Sequence, residues 1–208
     1  MLKTYLALGD SYTIGEQVLP VDSFPYQTVQ LLRKTEMEIA APEIIAKTGW
    51  TTDELKSAIA ENTFLSSYDL VTLLIGVNDQ YRGRTVEEYK PAFEELLQKA
   101  IFFAGDKSNH VFVLSVPDWG VTPFAASTPQ GGKERNLRNI SEEITAFNAA
   151  AAAITQRYHC HFIDITAAQR RDGNRPGMLA SDGLHPSGAE YAKWAEKLAV
   201  LIISLHSA

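Results

Sequence analysis

The sequence predicts an α/β protein in which a parallel sheet of about five strands is covered by helices on both faces. Short apolar runs alternate five times with segments of helical periodicity, and several of those runs are apolar at almost every position. Strands of that kind are typical of a parallel sheet that is buried on both sides. With 208 residues the chain can bury a substantial core, and we expect one domain over residues 1–208.

Five short apolar segments are the predicted strands. They are Tyr5–Leu8, Glu43–Ala46, Leu70–Ile75, Val111–Val116 and His161–Ile165. In sheets of this class, ligands bind beyond the carboxyl ends of the strands. Polar residues that directly follow a strand are therefore the first candidates for function.

Three apolar stripes at helical spacing predict three helices that pack on the sheet. The first stripe runs from Tyr89 to Ala100. The second runs from Leu137 to Ile154, and the third from Tyr191 to Leu205. A connection at 117–132, rich in Pro, Gly, Ser and Thr, is long enough to suggest a functional loop.

Composition restricts the partners and the compartment. The net charge of -6 argues against nucleic acid as a partner, and no apolar stretch approaches the roughly 20 residues that span a bilayer. Cys160 is the only cysteine, so neither an intrachain disulfide nor a cysteine cluster for zinc is expected. We expect a cytoplasmic protein without a metal or cofactor, although a secreted form whose leader has been removed would look the same. The oligomeric state is not predicted.

The first polar motif, Gly9-Asp10-Ser11-Tyr12, follows the first strand. A serine at such a strand end can present its hydroxyl to a bound group. By itself, the motif is also explained by an ordinary turn in which Asp10 or Ser11 caps a helix.

Two further motifs follow the next two strands. The segment around Gly49 has a residue without a side chain, where the backbone can approach a ligand closely. Asn78, in Gly-Val-Asn-Asp, offers an uncharged N–H donor of the kind that stabilises a developing oxyanion. Helix capping and an Asx turn are the simpler explanations of each motif alone.

The fourth motif, Asp182-Gly-Leu-His185-Pro, precedes the last helical stripe. A carboxylate three residues before a histidine, across a glycine, can fold back onto the imidazole and leave its other nitrogen free as a base. The predicted fold brings all four motifs to one edge of the sheet. Together they supply the groups needed for acyl transfer.

As an ordered set, these motifs resemble the SGNH, or GDSL, hydrolase family of esterases and lipases, over residues 9–186. The resemblance implies a flavodoxin-like α/β/α sandwich, with Ser11 as nucleophile, His185 as general base and Asp182 as its orienting partner. It also implies an oxyanion hole formed by the backbone N–H groups of Ser11 and Gly49 and the side chain of Asn78. One difference is Tyr12, where the family name has leucine.

The predicted reaction is hydrolysis of a small-molecule carboxylic ester through an acyl-enzyme, with short-chain or acetyl esters favoured. Tyr12, Trp50 and Trp119, with neighbours of Trp119 in the 117–132 loop, are the predicted wall of an acyl pocket. A lysophospholipase, a thioesterase and a carbohydrate O-acetyl esterase would use the same groups. A non-catalytic flavodoxin-like binding module is the alternative from a different class.

Overall fold

A parallel sheet forms the centre of the computed structural model, which describes residues 2–127 and 137–206. Its strands are β1 (Tyr5–Asp10), β2 (Glu43–Lys47), β3 (Leu70–Leu74), β4 (Val111–Leu114) and β5 (His161–Ile163). All neighbouring pairs are parallel, in the order β2-β1-β3-β4-β5. This is the flavodoxin-like order, so the predicted fold class is confirmed.

Helices follow the strands on both sides of the sheet. They are α1 (Ser11–Ile14), α2 (Phe24–Arg33), α3 (Thr52–Glu61), α4 (Val77–Tyr81), α5 (Val86–Phe103), α6 (Pro123–Ser127), α7 (Leu137–Arg157), α8 (Thr166–Asp172) and α9 (Gly188–His206). Short 3₁₀ turns lie at Pro20–Asp22, Ser108–His110 and Trp119–Val121. In the described part of the chain, no helix is long and apolar enough to cross a membrane.

Alternation along β1 divides the core into two layers, because successive side chains of a strand point to opposite faces. Tyr5 and Ala7 pack in a cluster with residues of α2 and α9. Leu6 and Leu8 pack in a second cluster, with residues of α3, α5 and the second half of α7. All four side chains are buried, so the sheet is covered on both faces.

The strand ends differ slightly from the predicted ones. β1 continues to Asp10, whereas β3, β4 and β5 end one or two residues earlier than predicted. Beyond the end of β4, the Ser115 N–H still donates to the Ile163 carbonyl, and side chains supply further hydrogen bonds. The Asn148 amide bonds both the N–H and the C=O of Val116, and the Ser115 hydroxyl accepts from the Ile165 N–H.

The helical stripes are buried along most of their length, as predicted. Two residues at their ends are corrections: Leu137 is 39% exposed and Leu205 is 41% exposed. Both lie in terminal turns of their helices.

Candidate active site

The carboxyl ends of the first three strands meet at one edge of the sheet, and three of the predicted motifs are found there. Ser11 directly follows β1, the turn with Gly49 follows β2, and Asn78 lies in α4 just after β3. The loop that contains Asp182 and His185 reaches the same edge immediately before α9. The topology therefore brings the four motifs together.

Ser11, His185 and Asp182 form a continuous hydrogen-bonded chain. The Oγ atom of Ser11 lies 3.0 Å from Nε2 of His185, and Nδ1 of His185 lies 2.6 Å from Oδ2 of Asp182. Ser11 is 4% and His185 7% exposed, so their contact is shielded from solvent, whereas the Asp182 side chain is 27% exposed. The arrangement links a hydroxyl, an imidazole and a carboxylate in the order that activates a serine.

The Asp182 carboxylate is held in place by its own loop. Its Oδ1 atom accepts the backbone N–H groups of Leu184 (2.9 Å) and His185 (3.0 Å), in a turn where Gly183 has a φ of +66°. Burial raises the pKa of Asp182, but these bonds and the one from the His185 ring outweigh it, so the pKa lies below its usual value. An ionised carboxylate only accepts hydrogen bonds, so the His185 proton is on Nδ1 and Nε2 can accept from Ser11.

Asp10 holds the backbone at Ser11. It is the N-cap residue of α1, and its Oδ1 atom accepts the N–H of Tyr12 at 3.0 Å. The side chain is fully buried, and its Oδ2 atom has no hydrogen-bond partner. Burial, together with the nearby Asp79 carboxylate, raises the pKa of Asp10 to about 8.

Gly49 lies in a tight turn at the end of β2. The Trp50 N–H donates to the Lys47 carbonyl at 3.2 Å, and Gly49, at the third position, has a φ of +83°. Thr48, at the second position, is not in a positive-φ conformation, which identifies a type II turn, where glycine is the favoured third residue. Gly49 borders the same cleft as Ser11.

Asn78 faces the cleft from α4 and also touches the Gly49 turn. Its Nδ2 atom donates to the Trp50 carbonyl at 3.0 Å. An amide nitrogen carries two N–H donors, so this bond leaves one for a ligand. Asn78 and Gly49 thus line the same cleft, and Asn78 is bonded to the residue that follows Gly49.

Asp79 also connects α4 with the segment that follows the Gly49 turn. Its buried carboxylate accepts the Thr52 N–H (3.0 Å) and hydroxyl (2.7 Å) and pairs with Arg84 at 2.9 Å. Burial raises the pKa of Asp79, and the bonds from Thr52 and Arg84 oppose that effect. Asp79 therefore ties the beginning of α3 to α4.

A cleft of about 150 Å³ opens directly above Ser11. Its lining is mainly apolar and aromatic; it consists of Ser11, Tyr12, Thr48, Gly49, Val77, Asn78, Tyr81, Trp119, Phe124, Leu184 and His185. A cavity of roughly this volume accommodates a ligand about the size of benzene. The site can thus hold a small, mostly apolar group beside a hydrogen-bonded serine.

A family model for GDSL-like lipases and acylhydrolases matches residues 7–193. The chain belongs to this family. The resemblance inferred from the sequence motifs is confirmed, and the protein is a carboxylic ester hydrolase. A comparison with curated protein sequences found no match.

Solved structures show the same fold as this GDSL-like hydrolase. The acetylxylan esterase Axe2 from Geobacillus stearothermophilus has a TM-score of 0.71 at 20% identity, covering 96% of this chain and 94% of its own. TesA has a TM-score of 0.70 at 17% identity, covering 96% and 98% of the two chains. A lipase/acylhydrolase from Enterococcus faecalis has a TM-score of 0.64 at 23% identity, covering 96% and 95%.

Of the three aromatic residues that the sequence suggested for the pocket, Tyr12 and Trp119 line the cleft of this GDSL-like hydrolase. Trp119 is nearly fully buried, and its indole N–H donates to Gln80 at 2.7 Å. Trp50 is not among the described residues that line the cleft; its side chain packs against the apolar cluster under α3 and α5. Residues 128–132 of the predicted loop lie outside the described residues.

Four lining residues were not predicted from the sequence: Val77, Tyr81, Leu184 and Thr48, which directly precedes Gly49. Val77 and Tyr81 lie four positions apart on α4, so they share a helix face beside Asn78. Leu184 lies between Asp182 and His185. The sequence could have indicated Val77 and Tyr81, because they are close to Asn78 and four positions apart, as on one face of a helix.

Proposed function

We propose that this GDSL-like hydrolase cleaves small carboxylic esters through an acyl-enzyme formed on Ser11. The observation that supports this most directly is the 3.0 Å contact between Ser11 Oγ and His185 Nε2, continued to Asp182 at 2.6 Å. A serine whose hydroxyl donates to an imidazole, oriented in turn by a carboxylate, is the arrangement that makes a serine nucleophilic.

In the first half of the reaction, Ser11 Oγ attacks the ester carbonyl carbon while its proton moves to His185 Nε2. Asp182 stabilises the resulting imidazolium. The tetrahedral intermediate collapses as the C–O bond to the alcohol breaks, and His185 returns the proton to the leaving oxygen. In the second half, water attacks the acyl-enzyme in the same way and releases the carboxylic acid.

The negative charge on the tetrahedral oxygen needs donors that are already in place. The Ser11 N–H at the N-terminus of α1, the Gly49 N–H and the Asn78 amide border the cleft around the nucleophile. We assign these three groups to the oxyanion hole. Preorganised donors of this kind commonly supply the largest single part of the rate enhancement.

Short acyl groups fit this cleft best. Its volume of about 150 Å³ and its apolar wall favour acetyl to roughly butanoyl or hexanoyl groups. A carbohydrate O-acetyl ester would place the same small acyl group there, and the structural neighbour Axe2 is an acetylxylan esterase. Acetylated xylo-oligosaccharides are therefore the second substrate candidate.

A series of p-nitrophenyl esters with acyl chains from two to twelve carbons tests the proposal, with acetylated xylo-oligosaccharides, a lysophospholipid and an acyl thioester beside it. We expect the highest kcat/KM at the short end of the series. Ser11→Ala is expected to reduce hydrolysis to background, whereas Ser204→Ala, on the exposed side of α9, leaves it unchanged. Wild-type activity in folded Ser11→Ala protein would overturn the assignment.

A further inference from the structure

Arg82 makes a close contact with the turn that presents Gly49. It follows the last residue of α4, and its Nη2 atom donates to the Gly49 carbonyl oxygen at 2.6 Å. A Cβ atom placed on Gly49 would lie 3.9 Å from the same nitrogen, so the guanidinium lies directly beside this residue. The sequence did not point to Arg82, because nothing in its immediate neighbourhood indicates a contact with residue 49.

The peptide groups that follow Gly49 are also held by side chains. Asn78 donates to the Trp50 carbonyl at 3.0 Å, and the Glu54 carboxylate accepts the Thr51 N–H at 2.9 Å. Glu54 also pairs with the Arg82 guanidinium at 3.1 Å. Arg82 is thus the side chain that contacts the carbonyl of Gly49 itself.

Asn78 lies in the first turn of α4 and Arg82, four residues later, directly follows its last residue; their side chains bond consecutive carbonyls of the turn. The backbone N–H of Arg82 donates to the Asn78 carbonyl at 3.0 Å, which fixes the two residues relative to each other. Two hydrogen bonds rather than one therefore connect α4, which carries the Asn78 amide, to the turn that carries the Gly49 N–H. Both of these donors belong to the proposed oxyanion hole.

We propose that Arg82 is a positioning residue of the oxyanion hole: its hydrogen bond to the Gly49 carbonyl fixes the Gly49 N–H relative to the Asn78 amide. This inference rests on the proposed function. A bond from a guanidinium to a carbonyl is charge-assisted and therefore stronger than one between neutral groups. Displacing a catalytic group by about 1 Å can cost about 100-fold in rate, so a contact that removes such freedom affects kcat.

An ordinary surface ion pair would not have this effect. The Arg82 side chain is 47% exposed and that of Glu54 39% exposed, and exposed pairs of this kind contribute little to stability. Glu54→Gln removes the charge of the partner but keeps an oxygen that can accept the Thr51 N–H. It therefore separates the ion pair from the bond to Gly49.

The test compares the kinetics of Arg82→Gln, Arg82→Lys and Glu54→Gln on a short-chain p-nitrophenyl ester, with the thermal unfolding midpoint of each. We expect kcat of Arg82→Gln to fall about 10-fold or more while KM changes less than about two-fold, because the oxyanion forms only after substrate binds. Arg82→Lys, which keeps a charged donor, should recover part of the loss. Glu54→Gln should retain nearly full kcat.

Arg157→Gln is the matched control, because Arg157 also forms an exposed ion pair, with Glu94 at 2.7 Å, far from the cleft. Unchanged kcat in Arg82→Gln would overturn the inference, and so would an equal loss in Arg157→Gln or no gain in Arg82→Lys. If Arg82→Gln does not fold, the kcat values of Arg82→Lys and Glu54→Gln are compared instead. Equal kcat in those two variants and in the wild type would then overturn the inference. Failure of the proposed function is recognised separately, by an active Ser11→Ala variant.

Discussion

The Nε2 atom of His185 lies 3.0 Å from the Oγ atom of Ser11, across a separation of 174 residues. Hydrogen bonds at the base of the histidine loop hold this contact: the Ala180 N–H donates to the His185 carbonyl, and the Ser187 N–H to the Met178 carbonyl. On the serine side, the Tyr12 ring packs against the His185 ring with centroids 5.2 Å apart. Contacts other than the Ser11–His185 bond therefore also hold both partners in place.

Asp182→Asn is expected to lower kcat on the order of 10³- to 10⁴-fold with little change in KM. An amide in place of the carboxylate can donate to Nδ1, which favours the tautomer with its proton on Nε2 and removes the acceptor for the Ser11 proton. Steady-state kinetics on a short-chain ester measure the effect. The matched control is Asp172→Asn, because its side chain is 24% exposed against 27% for Asp182 and its partners are two arginines. Equal kcat in the two variants would contradict the orienting role.

Gly49→Ala is expected to reduce kcat strongly, because a residue with a side chain disfavours the φ of +83° that the turn requires. The left-handed conformation costs about 1–2 kcal/mol for a non-glycine residue, and relaxation of the turn would move the Gly49 N–H. Gly105→Ala provides the comparison: Gly105 has a φ of +65°, lies after α5, and an added Cβ would make an ordinary contact with Ser67. We expect both variants to lose stability, measured by thermal unfolding, but only Gly49→Ala to lose activity. Comparable activity in the two would show that the turn geometry at Gly49 does not matter for catalysis.

The sequence indicated most of this arrangement because each motif directly follows or precedes a regular element. Short apolar runs located β1, β2 and β3, and their shared direction placed Ser11, Gly49 and Asn78 at one edge. What could not be predicted depends on contacts between side chains distant in sequence. The bond from Arg82 to the Gly49 carbonyl spans 33 residues and follows from the direction in which α4 leaves β3.

Trp50 is a second residue whose contacts could not be predicted from the sequence. An aromatic residue next to Gly49 was a reasonable candidate for the pocket, but the turn directs its carbonyl to Asn78 and its side chain into the cluster under α3 and α5. Which way a side chain leaves a tight turn depends on the turn type. The position of glycine at 49 suggested the turn, but the type became evident only from the positive φ of Gly49 in the structure.

Phe124→Ala is expected to shift the acyl preference toward longer chains. Phe124 is half-buried in the cleft lining, and its ring packs against Trp119 with centroids 6.4 Å apart. Removing the ring therefore leaves more room for an acyl chain beside Trp119. Its backbone N–H donates to the Gly183 carbonyl at 3.1 Å, and alanine keeps that bond to the Asp182–His185 loop. The ratio of kcat/KM for octanoyl and acetyl p-nitrophenyl esters should rise. Phe102→Ala, 60% exposed on α5, should leave the ratio unchanged, and no shift in Phe124→Ala would count against this assignment of the acyl wall.

Asp10→Asn is expected to weaken the pH dependence of stability between about pH 4 and pH 8. In the unfolded chain an aspartate loses its proton near its usual pKa of about 4, whereas burial and the Asp79 charge raise the pKa of folded Asp10 to about 8. Between these values the folded state holds one more proton, so the free energy of unfolding falls as pH rises, by up to about 1.4 kcal/mol per pH unit. Asparagine can still accept the Tyr12 N–H but does not titrate, so this component disappears. Urea unfolding at several pH values measures it: as pH rises through this range, the free energy of unfolding of the wild type should fall relative to that of Asp10→Asn. Parallel curves for wild type and Asp10→Asn would mean that the buried carboxyl does not retain its proton.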